Sequence, residues 1–229
     1  MLVLAHRGAN REAPENTVAA MARAVELGAD GVELDVHRTA DGQLVVRHDA
    51  ATPSGVLCDL TRAEVAAALP DVPTLGDVLD VCRGILVNVE VKNLPGDPDW
   101  DPAEGAADLL VGLLGIRAGL DDVLVSSFHL PTVDRVRATA PELATALLSF
   151  GLDPLEALVT AVDHGHAALH PDVWTLAEPG EVVRRAHDAG LRVNVWTVNE
   201  PDVMLRLRDA GVDAVITDVP DLALDVLER

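Results

Sequence analysis

The sequence predicts an α/β fold, a (β/α)8 barrel of parallel strands, on three observations. Short apolar runs alternate with helix-length amphipathic stretches along the whole chain, the pattern of a parallel sheet covered by helices. A phrase that stops a helix with glycine and starts a buried strand recurs as Leu27-Gly28-Ala29-Asp30-Gly31-Val32, Ala189-Gly190-Leu191-Arg192-Val193 and Ala210-Gly211-Val212-Asp213-Ala214-Val215. The segment after the first strand, His6-Arg7-Gly8-Ala9-Asn10, is not the glycine-rich phosphate loop of an open doubly wound sheet, the runner-up architecture. A length of 229 residues suits one barrel. No linker or low-complexity tract interrupts it, so residues 1–229 read as one domain.

The elements follow in order. A first strand over residues 2–5 leads to a helix over 17–27 that stops at Gly28. The second strand covers 31–36. The turn signal Asp41-Gly42 then returns the chain to an extra strand over 44–47, expected beside the second. Residues 50–73 are the least regular connection, a short insertion after the second strand. Strands over 85–91, 123–126, 143–148, 167–169, 192–196 and 214–216 complete the set. The helical pattern recurs over 103–114, 130–138, 181–189, 201–209 and 222–227.

Composition bounds the function. The formal net charge of -21 argues against nucleic-acid partners and against stable anchoring on an anionic membrane. Most of this charge reads as a solvated acidic surface. Cys58 and Cys82 share neither a CxxC nor a zinc-ligand spacing, which suits free thiols. The start lacks a basic region followed by a signal-length apolar run, and no stretch approaches the roughly 20 apolar residues of a membrane span. A soluble, cytoplasmic protein is expected. Aromatic residues are 2% of the chain and tyrosine is absent, so Trp100, Phe128, Phe150, Trp174 and Trp196 stand out against a core of Ala, Val and Leu.

The chemistry lies at the strand ends. Residues two apart in a strand face the same way. Glu33 and Asp35 therefore point together, with His37, and Asn88, Glu90 and Lys92 form a second row. The carboxyl ends of barrel strands carry the active site, so Glu33, Asp35 and Glu90 can converge on one cation. An oxygen-only set favours Mg²⁺ or Ca²⁺, with Mn²⁺ also fitting, over zinc. His6 ends the first strand and His48 the extra one. Histidines there can move protons near neutral pH, and Arg7 and Lys92 can neutralise a phosphate. An acidic total charge is compatible with a small phosphorylated substrate, because a metal ion and two basic side chains reverse the field locally. His164, His166 and His187 read as surface or loop residues. His129 begins a helix, and His170, before Pro171, follows a strand and could reach the site.

Taken in order, His-Arg-Gly, Pro-Glu-Asn-Thr, Glu-x-Asp, Asp-Gly-x-x-Val-x-x-His-Asp, Glu-x-Lys, Ser-Phe and Trp-Thr-Val-Asn resemble the glycerophosphodiester phosphodiesterases. The match runs from Leu4 to about Pro220. The resemblance implies a TIM barrel that hydrolyses glycerophosphodiesters to glycerol 3-phosphate and an alcohol. It implies one divalent cation on Glu33, Asp35 and Glu90, His6 and His48 as the acid–base pair, and Arg7 and Lys92 on the phosphate. It also places Phe128 and Trp196 near the substrate. The nucleophile is either water or the glycerol 2-hydroxyl, which would give a cyclic phosphate opened later by water. Which histidine is acid and which base stays open, as does monomer against homodimer. One departure is the short 50–73 segment, where family members often carry a longer polar insertion; it bears on substrate preference. Two alternatives remain: a lysophospholipase-D-like or cyclising phosphodiesterase, which should show an exposed apolar lip or a basic surface, and a non-catalytic phosphodiester-binding barrel, which should have lost a histidine or a carboxylate.

Overall fold

Eight parallel strands close on themselves in chain order in the computed structural model, which describes residues 1–117 and 122–228. The chain runs β1 (Leu2–His6), α1 (Val18–Leu27), β2 (Gly31–Arg38), β3 (Leu44–Val46), β4 (Ala51–Thr52), β5 (Gly55–Val56), α2 (Arg62–Ala68), α3 (Leu75–Val81) and β6 (Leu86–Val91). It continues through α4 (Gly105–Ile116), β7 (Asp122–Ser127), α5 (Leu130–Thr139), β8 (Ala144–Ser149), α6 (Pro154–Asp163) and β9 (Ala168–Pro171). It ends with α7 (Pro179–Asp188), β10 (Arg192–Val195), α8 (Pro201–Asp209), β11 (Ala214–Thr217) and α9 (Pro220–Val226). β1 pairs with both β2 and β11, which closes the barrel, and β3 adds antiparallel to the outer half of β2. This is the (β/α)8 TIM barrel that the alternation of apolar runs predicts.

Strand periodicity divides the core. Val32, Leu34 and Val36 of β2 and Val87, Val89 and Val91 of β6 pack outward against α1, α3 and α4 in one cluster. The opposite side buries Val3, Leu147, Leu169, Val193 and Val215 under α6 to α9. Each such side chain is worth about 1.5–3 kcal/mol on leaving water. The alternate residues turn into the barrel. Leu4, Ala214 and Ile216 pack there together, and so do Leu124, Ala146 and Ala168. Glu33, Asp35, Asn88 and Glu90 occupy the same inward parity. Six apolar neighbours facing outward thus force the carboxylates inward.

The connection over 50–73 is more ordered than its composition suggests. It holds the β4–β5 hairpin, a 3₁₀ turn (Leu57–Asp59) and α2, packed on Val45, Leu57, Val65 and Val72. Helices α2 and α3 each open on a capping box, Thr61 with Glu64 and Thr74 with Asp77. α6 starts with Asp153 as cap and Pro154 in its first turn. Among the described residues, no helix is long and apolar enough to cross a membrane. Both cysteines are free thiols, and burial pushes Cys82 up to about 12.

Candidate active site

Register brings the predicted residues together at the carboxyl ends of the strands. His6 pairs with Glu33, Glu33 with Asn88, and Asp35 with Glu90. One carboxylate oxygen from each of Glu33, Asp35 and Glu90 lies within 4.8 Å of the others. All three groups are buried. Lys92 Nζ lies 2.8 Å from Glu90 and 3.3 Å from Asp35, and Arg7 Nε lies 3.3 Å from Asp35. Arg7 also pairs with Glu15 at 3.0 Å.

A sharp turn delivers Arg7. Its φ is 57° and that of Gly8 is 80°, which points the Arg7 N–H at Glu33 Oε2, 3.1 Å away. Gly8 cannot be replaced: a Cβ there would stand 2.6 Å from the Ala20 backbone. Asn16, in Pro-Glu-Asn-Thr, also has a left-handed φ, 58°. From there its amide donates to Asp35 Oδ2 at 2.8 Å, and its Oδ1 accepts from the Asp35 N–H. Non-glycine residues in this region are uncommon and concentrate at functional sites.

The three carboxylates do not share their charge equally. Burial and the Asp35 charge push Glu33 up to about 8. Glu90 is raised by burial and by Asp35 as well. Asp35 is held below the usual carboxylate range: against the cost of burial, Lys92, Arg7 and the Asn16 hydrogen bond favour its ion. Asn88 is wholly buried beside Glu33 and Glu90, and neither atom of its amide has a hydrogen-bond partner among the described residues. Crowded, buried carboxylates beside an unpartnered amide fit a hard divalent cation, which takes oxygen donors and favours their ionised forms.

Each candidate proton carrier has its Nδ1 on a carboxylate. His6 Nδ1 lies 2.7 Å from Asp218 Oδ1, and His6 Nε2 faces Glu33 at 3.9 Å. Burial works against the His6 cation, but Asp218 and Glu33 outweigh it and its pKa is raised. Asp218 is fixed in turn by Asn10 at 2.6 Å and Asn199 at 2.8 Å. His48 Nδ1 lies 2.7 Å from Asp49. The His48 carbonyl accepts from His37 Nε2 at 3.0 Å, and His37 Nδ1 rests 2.6 Å from the buried Asp99. His37 shares the inward parity of Glu33 and Asp35 and supports His48.

Aromatic side chains crowd the same face. All five follow consecutive strands: Trp100 after β6, Phe128 after β7, Phe150 after β8, Trp174 after β9 and Trp196 after β10. Trp196 lines a small pocket with His6, Glu33, Asn88, Glu90 and Leu148. Phe128 meets it edge-on, with ring centroids 5.3 Å apart, and Phe150 lies at 6.0 Å. Phe150 is 66% exposed, Leu152 57% and Trp174 85%.

Two histidines are more buried than expected. His170 does not line the site. It is fully buried, with Nε2 against the Asn194 amide at 2.8 Å, and burial lowers its pKa to about 3. Its carbonyl accepts from Trp196 Nε1 at 2.8 Å, so it stands behind the indole. His166 lies in the loop between α6 and β9, as expected, but is buried. The sequence motifs contain Asn10 and Asn199 without assigning them a role, and they do not point to Asp218 or Asp99. A signal for Asp218 exists: it directly follows β11, which must neighbour β1 once the barrel closes, and Ala5 pairs with Thr217.

The barrel places an acidic cluster between two histidine–carboxylate pairs, a set suited to the hydrolysis of phosphoric diesters. The sequence profile of the glycerophosphoryl diester phosphodiesterase family matches residues 6–222, and the chain belongs to that family. A glycerophosphodiester phosphodiesterase of Caldanaerobacter subterraneus subsp. tengcongensis is 32% identical, with 100% of this chain and 98% of the relative covered. One from Bacillus altitudinis is 30% identical over 99% and 98% of the two chains. Among solved structures, a glycerophosphodiester phosphodiesterase from Parabacteroides distasonis superposes with a TM-score of 0.86 at 27% identity, covering 99% of this chain and 96% of its own. An Oleispira antarctica phosphodiesterase, in complex with its product sn-glycerol-3-phosphate, gives 0.85 at 26% identity, covering 100% and 97%.

Proposed function

We propose that this protein hydrolyses glycerophosphodiesters to sn-glycerol 3-phosphate and an alcohol, with one divalent cation, Mg²⁺ or Ca²⁺, on Glu33, Asp35 and Glu90. The observation that carries this reading is the convergence of these carboxylates within 4.8 Å, flanked by two histidines with Nδ1 on carboxylates. A bound cation supplies Lewis-acid stabilisation of charge on the phosphoryl oxygens. Arg7 and Lys92 hold the phosphate. With Nδ1 engaged, His6 and His48 present Nε2 to the reaction. One takes the proton from the nucleophile and the other gives a proton to the departing alkoxide, whose basicity makes unassisted departure slow. Asp218 keeps the His6 ring in place, and His37 with Asp99 keeps the His48 backbone in place. Trp196 and Phe128 pack on the glycerol carbons or a choline-like cation.

The exposed lip of Phe150, Leu152 and Trp174 favours a second reading, a lysophospholipase-D-like preference for a diester whose glycerol carries an acyl chain. One experiment tests both. Metal-stripped protein is given glycerophosphocholine or a lysophosphatidylcholine, then Mg²⁺, Ca²⁺ or Mn²⁺, and the phosphorylated product is assayed. Metal-restored release of glycerol 3-phosphate supports the first reading, and faster turnover of the lysolipid to lysophosphatidic acid supports the second. Full activity in a chelator, or no turnover with any of the three ions, refutes the metal assignment.

A further inference from the structure

The floor of the barrel carries a second set of ligating atoms, at the end opposite the catalytic loops. Asp134 lies on α5, His164 caps the C-terminus of α6, and His166 follows in the turn into β9. One ligand atom from each lies within 4.8 Å of the others. His164 Nδ1 is 2.8 Å from Asp134 Oδ2 and 3.0 Å from Oδ1, and His166 Nε2 is 3.4 Å from Asp134 Oδ1. The two rings stack with an interplanar angle of 13°. Ligand atoms bonded at about 2.0–2.1 Å around a tetrahedral zinc ion stand about 3.3 Å apart, and the distances from Asp134 to the two histidines are of that order.

His166 supplies an independent observation. Its side chain is 0% exposed. Nδ1 lies 2.9 Å from Thr145 Oγ1, whereas Nε2 is buried with no hydrogen-bond partner among the described residues. A buried polar atom left so costs about 1–3 kcal/mol. In the tautomer whose Nδ1–H donates to Thr145 Oγ1, the Nε2 lone pair faces Asp134. A ligating imidazole usually keeps its other N–H on an oxygen in this way. Burial lowers the pKa of His166 despite Asp134, helped by His164 and Arg137. Arg137 is the cation packed beside the cluster. Its Nε donates to the His164 carbonyl at 2.9 Å.

We propose that Asp134, His164 and His166 form a metal site separate from the catalytic carboxylates, for a transition-metal dication such as Zn²⁺, with a remaining position open to water. Two imidazoles and one carboxylate suit zinc and not magnesium, the reverse of the oxygen-only set above. The ion would clip α5 to the turn between α6 and β9 and stabilise the fold by mass action.

The test titrates the protein with Zn²⁺, and separately with Co²⁺, in saturating Mg²⁺. Zinc should bind at a site that Mg²⁺ does not displace, raise the melting temperature, and give visible cobalt bands of a nitrogen-containing, low-coordinate site. His164→Ala and Asp134→Asn, both at accessible positions, should lose these signals while keeping phosphodiesterase turnover, which verifies their folding. Thr145→Val leaves all three ligands in place and should weaken zinc roughly 10- to 100-fold. Glu33→Gln should retain the site. Zinc binding that is absent in Mg²⁺, unchanged in His164→Ala and Asp134→Asn, or lost in Glu33→Gln would overturn the proposal.

Discussion

Without a bound cation, Glu33 is a pH-dependent weakness in the fold, and Glu33→Gln isolates it. The carboxyl is pushed up to about 8 by burial and by Asp35, against an ordinary value of 4.5. Between those two values the folded, metal-free protein holds a proton that the unfolded chain has already released. A group whose pKa rises on folding favours the fold at low pH, and that contribution is lost as pH climbs through the interval. The slope is about 1.4 kcal/mol per pH unit. From pH 5.5 to 7.5 this amounts to about 3 kcal/mol, or roughly 6–12 °C in Tm for a chain of this size. Glutamine keeps the size and hydrogen bonding of the side chain without titrating. In EDTA, thermal unfolding followed by circular dichroism should show wild type losing ground to Glu33→Gln by that amount across the interval. Saturating Mg²⁺ should restore wild type and leave the variant unchanged. Parallel pH profiles for the two proteins in EDTA would show that Glu33 is ionised without metal, and the argument for a strained acidic cluster would fail.

Further outcomes follow from the same geometry. His6→Ala and His48→Ala should each lower kcat by roughly 10²- to 10⁴-fold, with a double mutant losing less than the product; near-normal turnover in either single variant would make that histidine structural. Asp218→Asn removes the partner that raises the His6 pKa, so the limb of the pH–rate profile set by His6 should move to lower pH, and an unmoved limb refutes that link. Trp196→Ala should raise KM with a modest change in Tm; a loss of about 3–5 kcal/mol with unchanged kinetics would mark it as core filling. The short 50–73 connection leads us to expect choline, ethanolamine and glycerol diesters within about tenfold of one another, or about 1.4 kcal/mol. Efficiency ratios above about a thousandfold would assign head-group selection to another loop.

What could be read from sequence was what strand parity and strand ends encode. The barrel strands lie close to their expected positions, and Glu33, Asp35 and Glu90 turn inward because the valines and leucines between them turn outward. The supporting residues were harder, since their partners come from distant elements: His6 and Asp218 are 212 residues apart, and His37 and Asp99 are 62 apart. Such pairs appear only when the barrel closes. His166 sits in a polar His-Gly-His stretch that is a loop, yet packing buries it against Thr145. His170 looked available because it follows a strand, yet inward parity at β9 buries it behind Trp196. The apolar period does not mark the helices α2, α3 and α6, although Thr61, Thr74 and Asp153-Pro154 announce their starts. In short helices the caps carry more signal than the apolar period does.

The concentration of aromatic residues after β6 to β10 gives this protein an unusual optical economy. With no tyrosine, its ultraviolet absorbance and emission come from Trp100, Trp174 and Trp196, all on loops at one end of the barrel. Trp174 is 85% exposed and should emit at long wavelength, whereas Trp196 is held by the His170 carbonyl against Phe128 and should emit further to the blue. Emission therefore watches the mouth and is blind to the floor. A ligand that enters the catalytic pocket should quench or shift the Trp196 component. In chemical denaturation, a fluorescence midpoint that precedes the far-ultraviolet dichroism midpoint would time the loosening of the loops separately from the collapse of the barrel beneath them.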